Sequence, residues 1–203
     1  MNQQAMKQSL RQSIIAARQK LAAAERSQFS QIISKYIMQL DSYRRAETVL
    51  AYMSFGAEFE TGAWVLQALR DGKQVLLPKV NSSSKQLDLY RIRDVQLDLE
   101  PGKWDIPEPR ADRCDRMEDL GQIDFILLPG VAFARDGSRL GYGGGFYDKL
   151  LERITKGGGD NAPSLVAAAF SMQLVAEIPQ EATDRKVEWL LTENEVIKCS
   201  TNT

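Results

Sequence analysis

The strongest constraint on the fold is a change of hydrophobic period that recurs along the chain. Ile123 to Leu128 is apolar but for Asp124 and has the length of a buried central strand. Leu165 to Phe170 is a second such run. Thr48 to Met53 and Val75 to Leu77 are shorter β-prone stretches, and Leu87 and Leu89 alternate like a half-buried strand that extends toward Ile92. Between them the period becomes helical. Met6, Leu10, Ile14, Ala17 and Leu21 recur at three- and four-residue steps, and Phe29, Ile32, Ile33, Tyr36, Ile37 and Leu40 do the same after Ser27, the expected N-cap. Thr61 to Arg70 is a third helical segment, closed by Asp71-Gly72, and Tyr147 to Ile154 a fourth. Strands alternating with helices imply a largely parallel sheet with both faces covered. The expected fold is α/β: a single three-layer α/β/α domain over residues 1–203, with no internal repeat and no linker.

Punctuation between these elements sets further expectations. Leu99 to Arg110 carries three prolines and reads as an ordered loop without strands. Gly157 to Pro163 reads as a loose surface connection. Trp189 to Leu191 is a last short strand, after which Thr192 and Glu195 form a capping box that predicts a small terminal helix.

Composition removes whole classes of function. The 203 residues carry 26 basic and 27 acidic side chains, a net charge of −1, so no global field recruits nucleic acid or an anionic membrane. No apolar run approaches the roughly 20 residues that span a bilayer. Two cysteines, Cys114 and Cys199, are too few for a disulfide framework and are expected as free thiols of a reducing, cytoplasmic compartment. The chain has no histidine. That excludes a Ser-His-Asp triad, a Cys-His pair and imidazole ligation of zinc. Lys7, Arg11, Arg18 and Lys20 stand in a segment without an acid before Glu25, which is also the composition of an organellar transit peptide.

The segment with most chemical content is Arg139-Leu140-Gly141-Tyr142-Gly143-Gly144-Gly145-Phe146-Tyr147-Asp148, between a buried strand and a helix. Glycines let the backbone take positive φ and approach a ligand closely. The helix start offers free N–H groups to an anion, and Arg139 a guanidinium suited to phosphate. Asp148 can hold a cation there, or simply complement the helix dipole. The segment is neither a Walker A loop nor a GxGxxG fingerprint. On spacing alone a phosphate loop and an ordinary tight turn both remain open.

This segment, with Leu128-Pro129-Gly130-Val131-Ala132-Phe133 and Asp136-Gly137 before it, resembles the signature of the 5-formyltetrahydrofolate cyclo-ligase family. The resemblance extends along the chain. It includes Lys7-Gln8-Ser9-Leu10-Arg11, Glu58-Phe59-Glu60-Thr61, Ile106-Pro107-Glu108-Pro109, and Asp184 followed by Val187 and a strand. It implies an enzyme that closes 5-formyltetrahydrofolate to 5,10-methenyltetrahydrofolate. ATP phosphorylates the formyl oxygen, the neighbouring nitrogen attacks the carbon, and ADP and phosphate leave. Such a reaction asks for positioning and charge stabilisation rather than a histidine base.

Residue by residue, the resemblance assigns ATP to Lys7, Arg11 and the loop Arg139, Leu140, Gly141, Tyr142, Gly143, Gly144, Gly145, Phe146 and Tyr147. Arg139 and Tyr147 are the expected catalytic residues. Magnesium falls to Asp148 and Asp184. Glu60, Phe55 and Trp104 are the expected folate contacts, with core packing the alternative for Phe55 and loop anchoring for Trp104. A monomer is expected, acting on a folate with or without a polyglutamate tail. Departures exist: Phe146 replaces a tyrosine common in relatives, Thr183 stands where a histidine is frequent, and Glu188 replaces an aspartate, which makes Glu188 the alternative second magnesium ligand. Two other classes compete: a sugar-phosphate isomerase or acyl-CoA transferase on a similar scaffold, and a folate-sequestering protein without catalysis. The first lacks a dedicated base or covalent glutamate motif; the second has no use for the loop.

Overall fold

The structure is a computed structural model that describes residues 2–156, 162–181 and 184–199, the side chain of Trp104 excepted. Helices α1 (Gln3–Arg18), α2 (Ala23–Gln39) and α3 (Asp41–Arg45) precede strand β1 (Thr48–Leu50), helix α4 (Thr61–Arg70) and the long hairpin of β2 (Gln74–Asn81) and β3 (Gln86–Ile92). A small hairpin of β4 (Leu99–Pro101) and β5 (Pro107–Pro109) follows, then β6 (Asp115–Arg116), β7 (Phe125–Leu127), β8 (Ala132–Ala134) and β9 (Arg139–Leu140). Helix α5 (Phe146–Lys156), β10 (Ser164–Ala168), β11 (Leu174–Val175), β12 (Trp189–Leu191) and β13 (Val196–Lys198) complete the order.

The main sheet runs β13-β12-β10-β7-β1-β2-β3-β6. Its five central strands are mutually parallel; β13 and β3 run antiparallel to them at the margins, and β6 pairs antiparallel with β3. Because side chains alternate along a strand, each central strand feeds two cores. Val49, Val75, Phe125 and Val166 pack with α2 and α4, while Leu50, Leu76, Ile126 and Ala167 pack with α5. This explains why the strands read as unbroken apolar runs. Tyr43, Trp64 and Phe125 meet with ring centroids 5.7 to 6.1 Å apart. At the amino edge, the Asp124 carboxylate accepts the Glu47 and Thr48 N–H groups at 2.8 and 2.9 Å, locking β7 to β1.

Helix α4 follows β1 on the way to β2, and α5 follows β7 on the way to β10. The chain therefore leaves β1 and β7, which are neighbours, toward opposite edges of the sheet. Crevices at the carboxyl ends of such strands are where open α/β sheets bind ligands. A second sheet, β11-β8-β9, lies beyond β7, and Leu10 and Ile14 of α1 pack on its Ala132, Ala134 and Leu140.

Three local expectations are corrected. Helix α2 starts at Ala23, four residues before Ser27; the Ala22 N–H finds its partner in Glu25, at 3.2 Å, so the reciprocal half of a cap sets the start. The proline segment contains the β4–β5 hairpin. Its prolines sit in a two-stranded sheet, where missing N–H donors are tolerated. Among the described residues after Thr192 there is no helix: the Thr192 N–H donates to Glu195 O at 2.9 Å, and Thr192 Oγ1 accepts the Glu195 N–H. This closes a turn and returns β-branched Val196 and Ile197 as an edge strand against β12. Most of the expected connection at Gly157 to Pro163 lies outside the described residues.

Candidate functional site

At the carboxyl ends of β1, β2 and β7 lies a cavity of about 1390 Å³. Tyr52 and Met53 leave β1 into it, Leu77 and Pro78 belong to β2, and Pro129 follows β7. Helix α1 crosses its rim with Lys7 and Arg11, the glycine loop and first turn of α5 form one wall, and Ile106, Pro107 and Glu108 of the proline hairpin face it.

The loop owes its shape to its glycines. Gly143 and Gly145 have φ of +97° and +65°, values that strain any residue with a Cβ. Arg139 is anchored beneath the loop, its side chain 5% exposed, with Nη1 donating to Pro129 O at 3.2 Å and Nη2 to Asp148 Oδ1 at 2.5 Å. Its Nε is buried without a partner. Arg11 Nε donates to Gly141 O at 2.8 Å and ties α1 to the loop. Lys7 is buried; it donates to Glu181 Oε1 at 2.9 Å and to Asp184 Oδ2 at 3.1 Å. Burial works against its charge, but those two hydrogen bonds outweigh it and hold the ammonium above its ordinary pKa. Tyr147 borders the cavity; burial, with Glu58 nearby, raises its phenol well above its usual value, so it serves as a neutral hydroxyl and not a base.

The structure thus gathers Lys7, Arg11, Arg139 to Asp148, and Asp184 around one space. Phe55 is there too, 38% exposed, with its ring centroid 5.2 Å from that of Tyr142. Glu60 is not. It stands at the N-cap position of α4 without a side-chain capping bond and pairs with Arg26 at 3.4 Å, outside the cavity lining. Two residues earlier, Glu58 is 4% exposed and borders the cavity. A regular extended chain would put both acids on one face, but Glu58 lies in the bend after the Gly56 turn and Glu60 opens α4, so the two point to different places. Glu58 accepts the Tyr142 hydroxyl and, at 3.0 Å, the Phe55 N–H. Burial raises its carboxyl above the ordinary value, opposed by these hydrogen bonds and by the Arg18 charge. Glu188 is removed from the site: it accepts Ser164 Oγ at 2.9 Å at the opposite, amino edge of β10. Trp104 lies in a 3-10 turn of the hairpin, its side chain outside the described residues, as is Thr183.

Arg18 and Glu181 were not singled out by sequence motif, and within Glu58-Phe59-Glu60-Thr61 the expectation fell on Glu60 and not on Glu58. For Arg18 the spacing carried the signal: Lys7, Arg11 and Arg18 lie at i, i+4 and i+11, one stripe of α1.

As a test of fit for magnesium, Asp148 and Asp184 offer oxygen ligands of the type that ion takes. Both border the cavity, though no ready-made cluster of three or more ligating side chains exists among the described residues. Magnesium usually keeps several waters and takes only one or two protein carboxylates, so this pair fits an ion carried in on phosphates.

Comparison with known proteins gives a consistent result. The model of the 5-formyltetrahydrofolate cyclo-ligase family matches residues 3–193. The 5-formyltetrahydrofolate cyclo-ligase of Escherichia coli strain K12 is 30% identical over 88% of this chain and 96% of its own. The protein of that name from Mus musculus is 29% identical over 93% and 94%. The NMR structure of Aquifex aeolicus 5,10-methenyltetrahydrofolate synthetase shares the fold with a TM-score of 0.82 at 29% identity, covering 98% of this chain and 95% of that one.

Proposed function

Since this chain belongs to the 5-formyltetrahydrofolate cyclo-ligase family and is a ligase of that kind, we propose that it uses ATP to close 5-formyltetrahydrofolate to 5,10-methenyltetrahydrofolate. The observation that carries this reading is one cavity in which a glycine loop, Arg139, Lys7 and Arg11 lie beside a buried carboxylate, Glu58. The formyl group is an amide, and its oxygen leaves poorly as water. Transfer of the γ-phosphoryl group to that oxygen gives an iminium phosphate; the anilino nitrogen attacks its carbon and releases its proton to solvent, and the C–O bond breaks with phosphate as leaving group. ADP and phosphate are the products.

The chain's own residues bind and orient. Arg139 and Lys7 present cationic donors to phosphate oxygens, whose negative charge spreads in the transition state. The backbone of Gly141 to Gly145 lies open to the nucleotide, with Leu140 and Phe146 closing its ends. Tyr147 donates from a neutral hydroxyl. Phe55 is the apolar wall for the pterin, and Glu58, in the place expected for Glu60, accepts its N–H groups. Asp148 and Asp184 would hold magnesium, which supplies charge neutralisation and a template across the phosphates. The reading extends to a single-domain cytoplasmic monomer that tolerates a polyglutamate tail at the open side of the cavity; no helix among the described residues is long and apolar enough to cross a membrane.

The test is the near-ultraviolet absorbance of the methenyl product, with protein and 5-formyltetrahydrofolate, in the presence and absence of ATP and magnesium. The chromophore grows only with both present. Growth without ATP refutes phosphoryl transfer; no growth under any condition refutes the ligase assignment.

A further inference from the structure

The basic stripe of α1 has a member that the reaction above does not use. Lys7 and Arg11 reach the cavity, whereas Arg18, in the last turn, is 3% exposed and lies behind its wall. A guanidinium taken out of water is costly unless it is paired. Arg18 Nη2 donates to the Tyr142 hydroxyl at 2.8 Å, and its Nε is buried with no partner. The Tyr142 hydroxyl in turn donates to Glu58 Oε1, and Glu58 Oε2 takes the Phe55 N–H. The chain of contacts runs from helix α1 through the glycine loop to the loop after β1, and ends on Glu58, among the described residues the one buried carboxylate that borders the cavity.

Resting on the reading of Glu58 as the acceptor for the pterin, we propose that Arg18 and Tyr142 are positioning residues for it. They keep its carboxylate ionised and fixed in plane, ready to accept the two adjacent N–H donors of a 2-amino-4-oxo heterocycle. The need is physical. A carboxyl in an apolar pocket tends to take up a proton, and a protonated carboxyl offers a donor where the heterocycle also presents donors. The groups facing it are the phenols of Tyr52, Tyr142 and Tyr147 and the Arg18 guanidinium. The phenols are all pushed up by burial and stay neutral, so Arg18 is the group whose charge favours the carboxylate.

Equilibrium binding of 5-formyltetrahydrofolate, without nucleotide, measured across mildly acidic to mildly alkaline pH, tests this. In the parent the affinity rises with pH as Glu58 ionises, since its folded pKa is raised. In Arg18→Gln the same rise moves to higher pH, read as roughly a tenfold loss of affinity on the acid side that closes on the alkaline side. Arg18→Lys stays near the parent curve because the charge remains. Tyr142→Phe, the mildest change, shifts the curve in the same direction as Arg18→Gln. Glu58→Gln binds weakly, with no such rise. A loss in Arg18→Gln that is equal at every pH, with a lowered melting temperature, marks a merely structural residue and overturns the proposal. Should Glu58→Gln bind like the parent, the pterin-acceptor reading itself falls; should it bind weakly while Arg18→Gln and Tyr142→Phe keep the parent curve, only the positioning role falls.

Discussion

At the scale of single residues, Arg139 is the side chain whose geometry is hardest to replace. Its guanidinium spans Pro129 O and the Asp148 carboxylate from a buried position under the loop. Lysine keeps the charge but not the planar fork, so it cannot hold both partners and a phosphate oxygen. Arg139→Lys is expected to fold and to lose roughly 10- to 100-fold in turnover, the scale of one lost charge-assisted hydrogen bond at about 1.5–3 kcal/mol. Turnover at saturating substrates, beside a melting curve, checks it; full activity would leave Arg139 a structural residue. The loop was legible in the sequence by residue type and order, whereas Lys7 and Arg11 were marked only by the family resemblance; all of them line the same cavity. The choice between Glu58 and Glu60 was not legible. It depends on where the bend ends and the helix begins: Glu58 sits in the bend and Glu60 at the start of Thr61–Arg70, a boundary that two acids flanking a phenylalanine do not announce.

At the scale of elements, legibility followed burial. Thr61–Arg70 begins and ends where its period and Asp71-Gly72 place it, and the central strands stand where the apolar runs lie, because burial on both faces leaves no room for polar residues. Edge elements escaped. The β4–β5 hairpin buries little, and its order comes from hydrogen bonds that composition does not announce. The clearest is Asp98, whose carboxylate accepts the Arg93 and Asp94 N–H groups at 2.7 and 2.9 Å and thereby fixes the turn from β3 into the hairpin. Burial alone would raise its pKa, yet these bonds and the neighbouring Arg113 and Arg93 charges bring it below the ordinary 3.8. A carboxyl depressed in the folded state contributes stability above its unfolded pKa and loses it as pH falls through the folded value. Asp98→Asn is therefore expected to cost roughly 1 to 2 kcal/mol at neutral pH, and the difference from the parent should shrink as pH drops below about 3.8. Denaturant unfolding of both proteins at neutral and acid pH decides; a difference constant with pH would assign the loss to packing rather than charge.

At the scale of the whole molecule, the cavity poses an electrostatic problem that its cations alone do not solve. Its lining carries six carboxylates, Glu58, Glu108, Asp148, Glu152, Glu181 and Asp184, against five cations. Even with Glu58 protonated the two signs only balance, so no net positive field awaits a nucleotide polyanion. Moreover, the best-placed cations are already engaged: Arg139 by Asp148, and Lys7 by Asp184 and Glu181. A metal-free nucleotide must break these ion pairs and leave carboxylates facing its phosphates. A nucleotide entering with magnesium can exchange partners, phosphate oxygens taking the cations while the divalent ion meets the carboxylates. The parent is thus expected to bind a non-hydrolysable ATP analogue at least about tenfold more tightly with magnesium than without, which calorimetry measures directly. Asp148→Asn should narrow that ratio from both sides: metal-free affinity rises because Arg139 loses its internal counter-ion, and metal-bound affinity falls. Asp184→Asn should do the same more weakly, since Glu181 still holds Lys7. If either substitution instead lowers affinity equally with and without magnesium, that carboxylate only orients its cation. If the parent binds the analogue equally in both conditions, the exchange fails while nucleotide binding stands.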